Sequence, residues 1–217
     1  MAIDFYWGNA SAYCWRVLLA LERKGLPFRS HPLKFDQQEH QAPSMLAMNP
    51  RGRLPVLRDG DYVVFESVAI LHYLERKYPE PPIFGRSPEE CGVIVRVVCE
   101  YQAYAEPSLM RLLDHLLYRR DLPTSEGMGE TMPEAMHRVA REARTIERRL
   151  AQSDWVVGES MSAADMVIYP DIRLLLRALA QPAARELAAR FLPLDINYPA
   201  LSRWLERINV LMPGVSV

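Results

Sequence analysis

A serine, Ser11, stands three residues ahead of a cysteine, Cys14, at the opening of an apolar helical pattern. Free backbone N–H groups and the positive end of the helix dipole gather at such a start, and they steady a thiolate placed there. Two chemistries are open to this pair. Cys14 could react as a low-pKa thiol, or the Ser11 hydroxyl could donate a hydrogen bond to a thiolate brought in from outside. More plainly, Ser11 could serve only as a helix cap, worth about 1 kcal/mol, a role compatible with the second chemistry. A second polar pair, Glu66-Ser67, opens another helical run, where free amides favour a carboxylate. Taken alone, those two residues read as ordinary capping. Cys91 and Cys99 lie on one helical pattern and read as small core residues. The three cysteines are odd in number and lack zinc spacing, which fits free thiols in a reducing compartment.

The elements that must position these residues follow from periodicity. Residues 3–7 read as a strand, and 13–24 as a helix with Val17, Leu18, Ala20 and Leu21 on one face, stopped by Gly25 and Pro27. Residues 28–35 can form a second strand and 40–48 a short helix. A hairpin joins 54–57 to 62–65 across Arg58-Asp59-Gly60-Asp61, and 66–77 closes with Val68, Ile70, Leu71 and Leu74 on an apolar face. The order β-α-β-α-β-β-α is that of an α+β, thioredoxin-like fold. Beyond residue 89 only helical periodicity remains, as in Ala135, Val139, Ala143, Ile146 and Leu150, then 166–179 and 199–210. A first long helix of this part carries Tyr101, Tyr104 and Met110, and a loop is expected over 121–133. The Pro- and Gly-rich stretch 78–88 continues neither pattern. These signals divide the chain into a thioredoxin-like domain at 1–80, a linker at 81–88 and an all-α helical bundle at 89–217.

Composition narrows the classes of function. The 217 residues are 49% hydrophobic, with 26 Lys plus Arg against 27 Asp plus Glu, so no basic footprint for nucleic acid or an anionic membrane exists. No apolar run approaches the length of a membrane span, and the N-terminus lacks the pattern of a signal peptide, so the expected location is cytoplasmic.

Ser11-Ala12-Tyr13-Cys14-Trp15-Arg16-Val17 resembles the active-site turn of serine-type cytosolic glutathione transferases of the zeta, phi and theta classes, the Trp-Arg-Val being zeta-like. Asn49-Pro50-Arg51-Gly52-Arg53-Leu54-Pro55-Val56-Leu57 and Glu66-Ser67-Val68-Ala69-Ile70 resemble that family's two glutathione-binding segments. Gly158 to Asp165 resembles its helix-capping segment, with Ser162 as N-cap and Asp165 reaching back to it; Tyr198-Pro199 and Trp204 agree with that fold. The resemblance implies a cis bond before Pro55, which turns the Leu54 N–H and C=O outward to pair with glutathione like an added strand. It implies that Glu66 faces the glutathione ammonium, that Ser67 holds the γ-glutamyl carboxylate, and that His40, Gln41 and Arg53 meet the glycyl carboxylate. Ser11 is then the catalytic residue, activating the thiol of reduced glutathione for attack on a small, apolar electrophile. Lowering a thiol pKa from about 8.5 by two units needs roughly 2.7 kcal/mol of preference for the thiolate, within reach of one charge-assisted hydrogen bond plus a dipole.

Trp7, Asn9, Cys14, Tyr101, Tyr104 and Met110 are candidates for the acceptor pocket or a secondary role. No metal and no tightly held cofactor is implied; glutathione is a cosubstrate, the oligomer a homodimer and the role detoxification. The rivals are a zeta-type glutathione-dependent cis-trans isomerase, against which Ala12-Tyr13 replaces the Ser-Cys pattern, and a non-catalytic glutathione transferase-like binding module.

Overall fold

A computed structural model describes residues 3–118 and 130–211. The N-terminal part follows the expected order: β1 (Ile3–Gly8), α1 (Ala12–Arg23), β2 (Phe28–Leu33), a 3-10 turn (Glu39–Gln41), α2 (Pro43–Met48), β3 (Val56–Asp59), β4 (Tyr62–Phe65) and α3 (Ser67–Lys77). The strands form one mixed sheet in the order β2-β1-β3-β4, with β1 parallel to β2 and antiparallel to β3, and β3 antiparallel to β4. The helix expected over 40–48 divides because Pro43, which donates no N–H, can only begin a helix.

The rest of the described chain is helical: α4 (Pro88–Tyr104), α5 (Glu106–Leu116), α6 (Met132–Leu150), α7 (Ala163–Leu179), α8 (Arg185–Phe191), α9 (Leu194–Asn197) and α10 (Pro199–Leu211). The single long helix expected to carry Tyr101, Tyr104 and Met110 is two helices. The chain breaks at Ala105, and Pro107 starts α5. Most of the loop expected over 121–133 lies outside the described residues. Ser162 caps α7 through a capping box with Asp165, whose other oxygen accepts from the Trp204 indole and the Val156 N–H, as the sequence leads one to expect.

α7 is buried along almost its whole length and forms the centre of the helical part. It also packs against α1, which α3 covers on another side, so α1 is buried on more faces than one apolar stripe would need. The segment between the parts is stitched down. The buried Lys24 ammonium donates to Glu75 Oε2, the Tyr78 C=O and the Pro81 C=O at 2.7–2.8 Å. Glu75 in turn accepts from the Ile83 and Phe84 N–H groups, and Ala163 N–H donates to the Ile83 C=O at 2.7 Å. All three cysteines are unpaired. Cys91 is half-buried and packs against the core, whereas Cys99 is exposed and is not the core residue that helical spacing suggested; only the tertiary packing of α4 decides which of its faces is covered.

Candidate functional site

Four segments meet at one end of the sheet. β1 and β2 run parallel and leave the sheet there, at Gly8 and Leu33. β3 opposes β1, with Val56 across from Tyr6, so its beginning lies at the same end. β4 opposes β3, with Phe65 across from Val56, so its exit lies there too. Topology alone therefore gathers the Asn9-Ala10-Ser11 turn, the loop with His40 and Gln41, the Arg53-Leu54-Pro55 approach and the Glu66-Ser67 corner. Gly8 is part of this closeness, because a Cβ there would strike the Phe35 ring of the neighbouring loop.

Ser11 is the N-cap of α1. Its Oγ accepts from the Cys14 N–H at 3.4 Å, and its C=O accepts from the Cys14 and Trp15 N–H groups at 3.1 Å. Cys14 itself is fully buried. Burial pushes its thiol up to about 11, and hydrogen bonds from Ser11 and the Gly8 N–H offset this only in part. A protonated, enclosed thiol is a poor nucleophile, so Cys14 drops out as a rival centre. Ala10, just before Ser11, holds φ +59°, a left-handed conformation that alanine rarely adopts.

Glu66 caps α3 with φ +69° and an exposed side chain that makes no cap bond. Such backbone costs about 1–3 kcal/mol and clusters at functional sites. Ser67, buried, is the first helical residue, and the opening amides of α3 have no partner within the helix. The Leu54–Pro55 bond is cis, as expected, and the ladder of β3 begins only at Val56, leaving the Leu54 backbone outside it.

The loop before Leu54 is held by two residues. Gln41 Nε2 donates to the Gly52 C=O at 2.9 Å and fills the space a side chain at Gly52, φ +56°, would need. The buried Asn49 amide donates to the Arg53 C=O at 2.7 Å and accepts from the Arg51 N–H. Gln41 is thus a loop support as well as a candidate contact, and Asn49 is a support that motif reading quotes without a role. Arg53 is exposed, and His40 packs edge-on against Phe35.

Behind the site lies a buried ionic cluster that the sequence reading missed. The Arg16 guanidinium, fully buried on α1, donates to Asp171 of α7 at 2.8 Å and Glu106 of α5 at 3.2 Å, and stacks over Tyr13. Burial lifts the Asp171 carboxyl to about 6, with Arg16 and Tyr101 opposing and Glu106 adding to the rise. The available signal was a charged residue set within an otherwise apolar helix. Tyr101, expected at the acceptor pocket, is instead buried here and donates to Asp171 at 2.9 Å; its hydroxyl is spent within the core. Tyr104 is exposed and Met110 half-buried. Trp7 turns its indole N–H to Ser30 Oγ at 2.8 Å, and Asn9 accepts from the Ala10 N–H.

A four-stranded mixed sheet with helices, followed by an all-helical part, defines a thioredoxin-like domain joined to a helical bundle. The chain matches the family models described as "Glutathione S-transferase, N-terminal domain" over residues 6–82 and "Glutathione S-transferase, C-terminal domain" over residues 107–211. It belongs to the glutathione S-transferase family and is an enzyme of that class. Among its relatives, glutathione S-transferase A of Pleuronectes platessa is 29% identical over 176 residues, covering 79% of this chain and 76% of that one. Maleylacetoacetate isomerase of Pseudomonas aeruginosa is 30% identical over 179 residues, 79% and 80% of the two chains. The crystal structure of a glutathione S-transferase from the Antarctic clam Laternula elliptica superposes with TM-score 0.80 at 24% identity, covering 99% of this chain and 91% of that chain. A glutathione S-transferase-I bound with lactoylglutathione gives TM-score 0.74 at 25% identity, with 96% and 94% covered.

Proposed function

We propose that this enzyme clamps reduced glutathione at the shared end of the sheet and activates its thiol with the Ser11 hydroxyl, in the serine-type manner of the zeta, phi and theta classes. The observation that supports this reading is the N-cap position of Ser11, at the same end of the sheet as the Leu54 backbone and the opening of α3. Glu66 faces the ammonium, Ser67 and its amide take the γ-glutamyl carboxylate, and Arg53 with His40 and Gln41 meets the glycyl end. Ser11 Oγ accepts from the Cys14 N–H, which leaves its O–H to stabilise the arriving thiolate, and no metal is needed for that step. Attack on a small, apolar electrophile follows, with Asn9, Trp7, Tyr104 and Met110 bordering its approach. Residues 1–80 are the glutathione-binding domain, 81–88 the linker and 89–217 the helical domain. The enzyme works in the cytoplasm as a homodimer, in detoxification. Among the described residues no helix is long and apolar enough to cross a membrane.

A second reading, glutathione-dependent cis-trans isomerisation, is favoured by one observation, the likeness to the maleylacetoacetate isomerase. It uses the same thiolate and differs in releasing glutathione again. Thiolate absorbance on titrating glutathione into the parent, Ser11→Ala and Cys14→Ala tests the shared step. Binding is expected in all three, with the bound thiol pKa raised only in Ser11→Ala, by up to about two units. An unchanged thiol pKa in Ser11→Ala would remove Ser11 from the chemistry.

A further inference from the structure

The residue type at Ala10 does not by itself account for the turn that presents Ser11. Ala10 holds φ +59°, a region where L residues other than glycine, Asn and Asp are scarce. Hydrogen bonds to both of its backbone groups favour it. The Asn9 side chain accepts from the Ala10 N–H at 2.8 Å, which occupies one of the two backbone groups. The other is taken from the far side of the molecule: the Tyr118 hydroxyl donates to the Ala10 C=O at 3.0 Å, across 108 residues of sequence.

Tyr118 is well placed to hold that grip. It lies just past the end of α5, with its own N–H and that of Leu117 both bonded to the Leu113 C=O. The opposite end of α5 is anchored to the same partner helix, through Glu106 on Arg16. α5 is therefore fastened to α1 near its first residue and to the turn ahead of α1 by Tyr118. A rigid strut fixed at both ends sets where the tyrosine oxygen stands relative to Ser11. We propose that Tyr118 is a positioning residue for the reaction, a cross-domain clamp that holds the Ala10 carbonyl and so aims the Ser11 hydroxyl at the glutathione sulfur. The inference rests on the reading of Ser11 as the thiol-activating group. It also makes the helical domain, and not the sheet alone, responsible for thiol activation.

Tyr118→Phe removes the donor and keeps the ring. The readouts are the pKa of the bound glutathione thiol and the pH profile of kcat, measured for the parent, Tyr118→Phe, Ser11→Ala and the double variant. A clamp acting through Ser11 predicts a raised thiol pKa and a kcat loss at neutral pH of roughly two- to tenfold in Tyr118→Phe, the worth of one hydrogen bond. It predicts little change in the KM for glutathione, and no further rise in thiol pKa when Tyr118→Phe is added to Ser11→Ala. A Tyr118→Phe enzyme with the parent pH profile, whatever its melting temperature, would overturn the clamp. So would equal effects of Tyr118→Phe with and without Ser11. Failure of the underlying reading looks different, since Ser11→Ala would then itself leave the thiol pKa unmoved.

Discussion

The sheet end and the helical part are built by different means. On the sheet side the functional geometry is main chain: a capped helix start at Ser11, a left-handed Glu66 at the opening of α3, and a Leu54 backbone left outside the ladder. From the helical side it is side chains that reach across, with Glu106, Tyr101 and Asp171 gathered around Arg16 of α1 in the interior and Tyr118 bonded to the turn. The lesson is that the sheet end takes its shape from local backbone devices, while the helical part is tied to it by contacts between residues far apart in sequence.

That contrast can be broken most forcefully at Asp171. Asp171→Ala leaves the buried Arg16 with one carboxylate and deprives Tyr101 of its acceptor. A loss of about 3–5 kcal/mol of stability is expected in thermal or denaturant melts. A loss below about 1 kcal/mol would show that the two parts are joined by apolar packing alone.

Two buried carboxylates, one on each side of the contrast, should respond oppositely to pH. Asp171 has a folded pKa of about 6, above its ordinary 3.8. The folded protein holds that proton more tightly, so this group's contribution is full below 3.8 and lost as pH rises through about 6. Burial would also raise the Asp4 carboxyl in β1, but hydrogen bonds from His31, Arg29 and Arg58 more than offset it and bring it below 3.8. Its contribution is present above 3.8 and lost as pH falls further. Melting temperatures from acid to neutral pH should therefore lose their decline between about pH 4 and 6 in Asp171→Asn. In Asp4→Asn they should lose their acid-side fall. Parallel curves for parent and variants would dismiss both assignments.

The smallest expected effect on stability comes from the sheet end. Glu66→Gly suits φ +69° and removes the carboxylate proposed to face the ammonium. Stability should stay level or rise by up to about 1 kcal/mol, while the KM for glutathione rises at least tenfold, the worth of a charge-assisted hydrogen bond. An unchanged KM would show that Glu66 is strained for some other end.

How much was legible follows the same division. Ser11, Leu54-Pro55 and Glu66-Ser67 could be read because each is a local device, a cap, a turn or a helix start, whose residue types sit next to one another. The strands and α1 and α3 were readable from their periodicity, and Ser162 with Asp165 from a spacing of three. The break at Ala105 had a visible signal in Pro107 that the helical pattern overrode. Cys99 and Tyr101 were misplaced because a helical repeat says which residues share a face and not which face is covered.

By itself, then, the sequence determined which segments form strands and helices, and it determined the Ser11 cap and the helix start at Ser67, since caps, turns and periodicity act over a few residues. Only tertiary structure decided that Arg16 meets Asp171 and that Tyr118 reaches Ala10, pairs 155 and 108 residues apart. It also decided that Cys14 is sealed away with its thiol held protonated. Burial and partner choice are properties of the packed chain, because desolvation depends on everything that closes around a group and not on its neighbours in sequence.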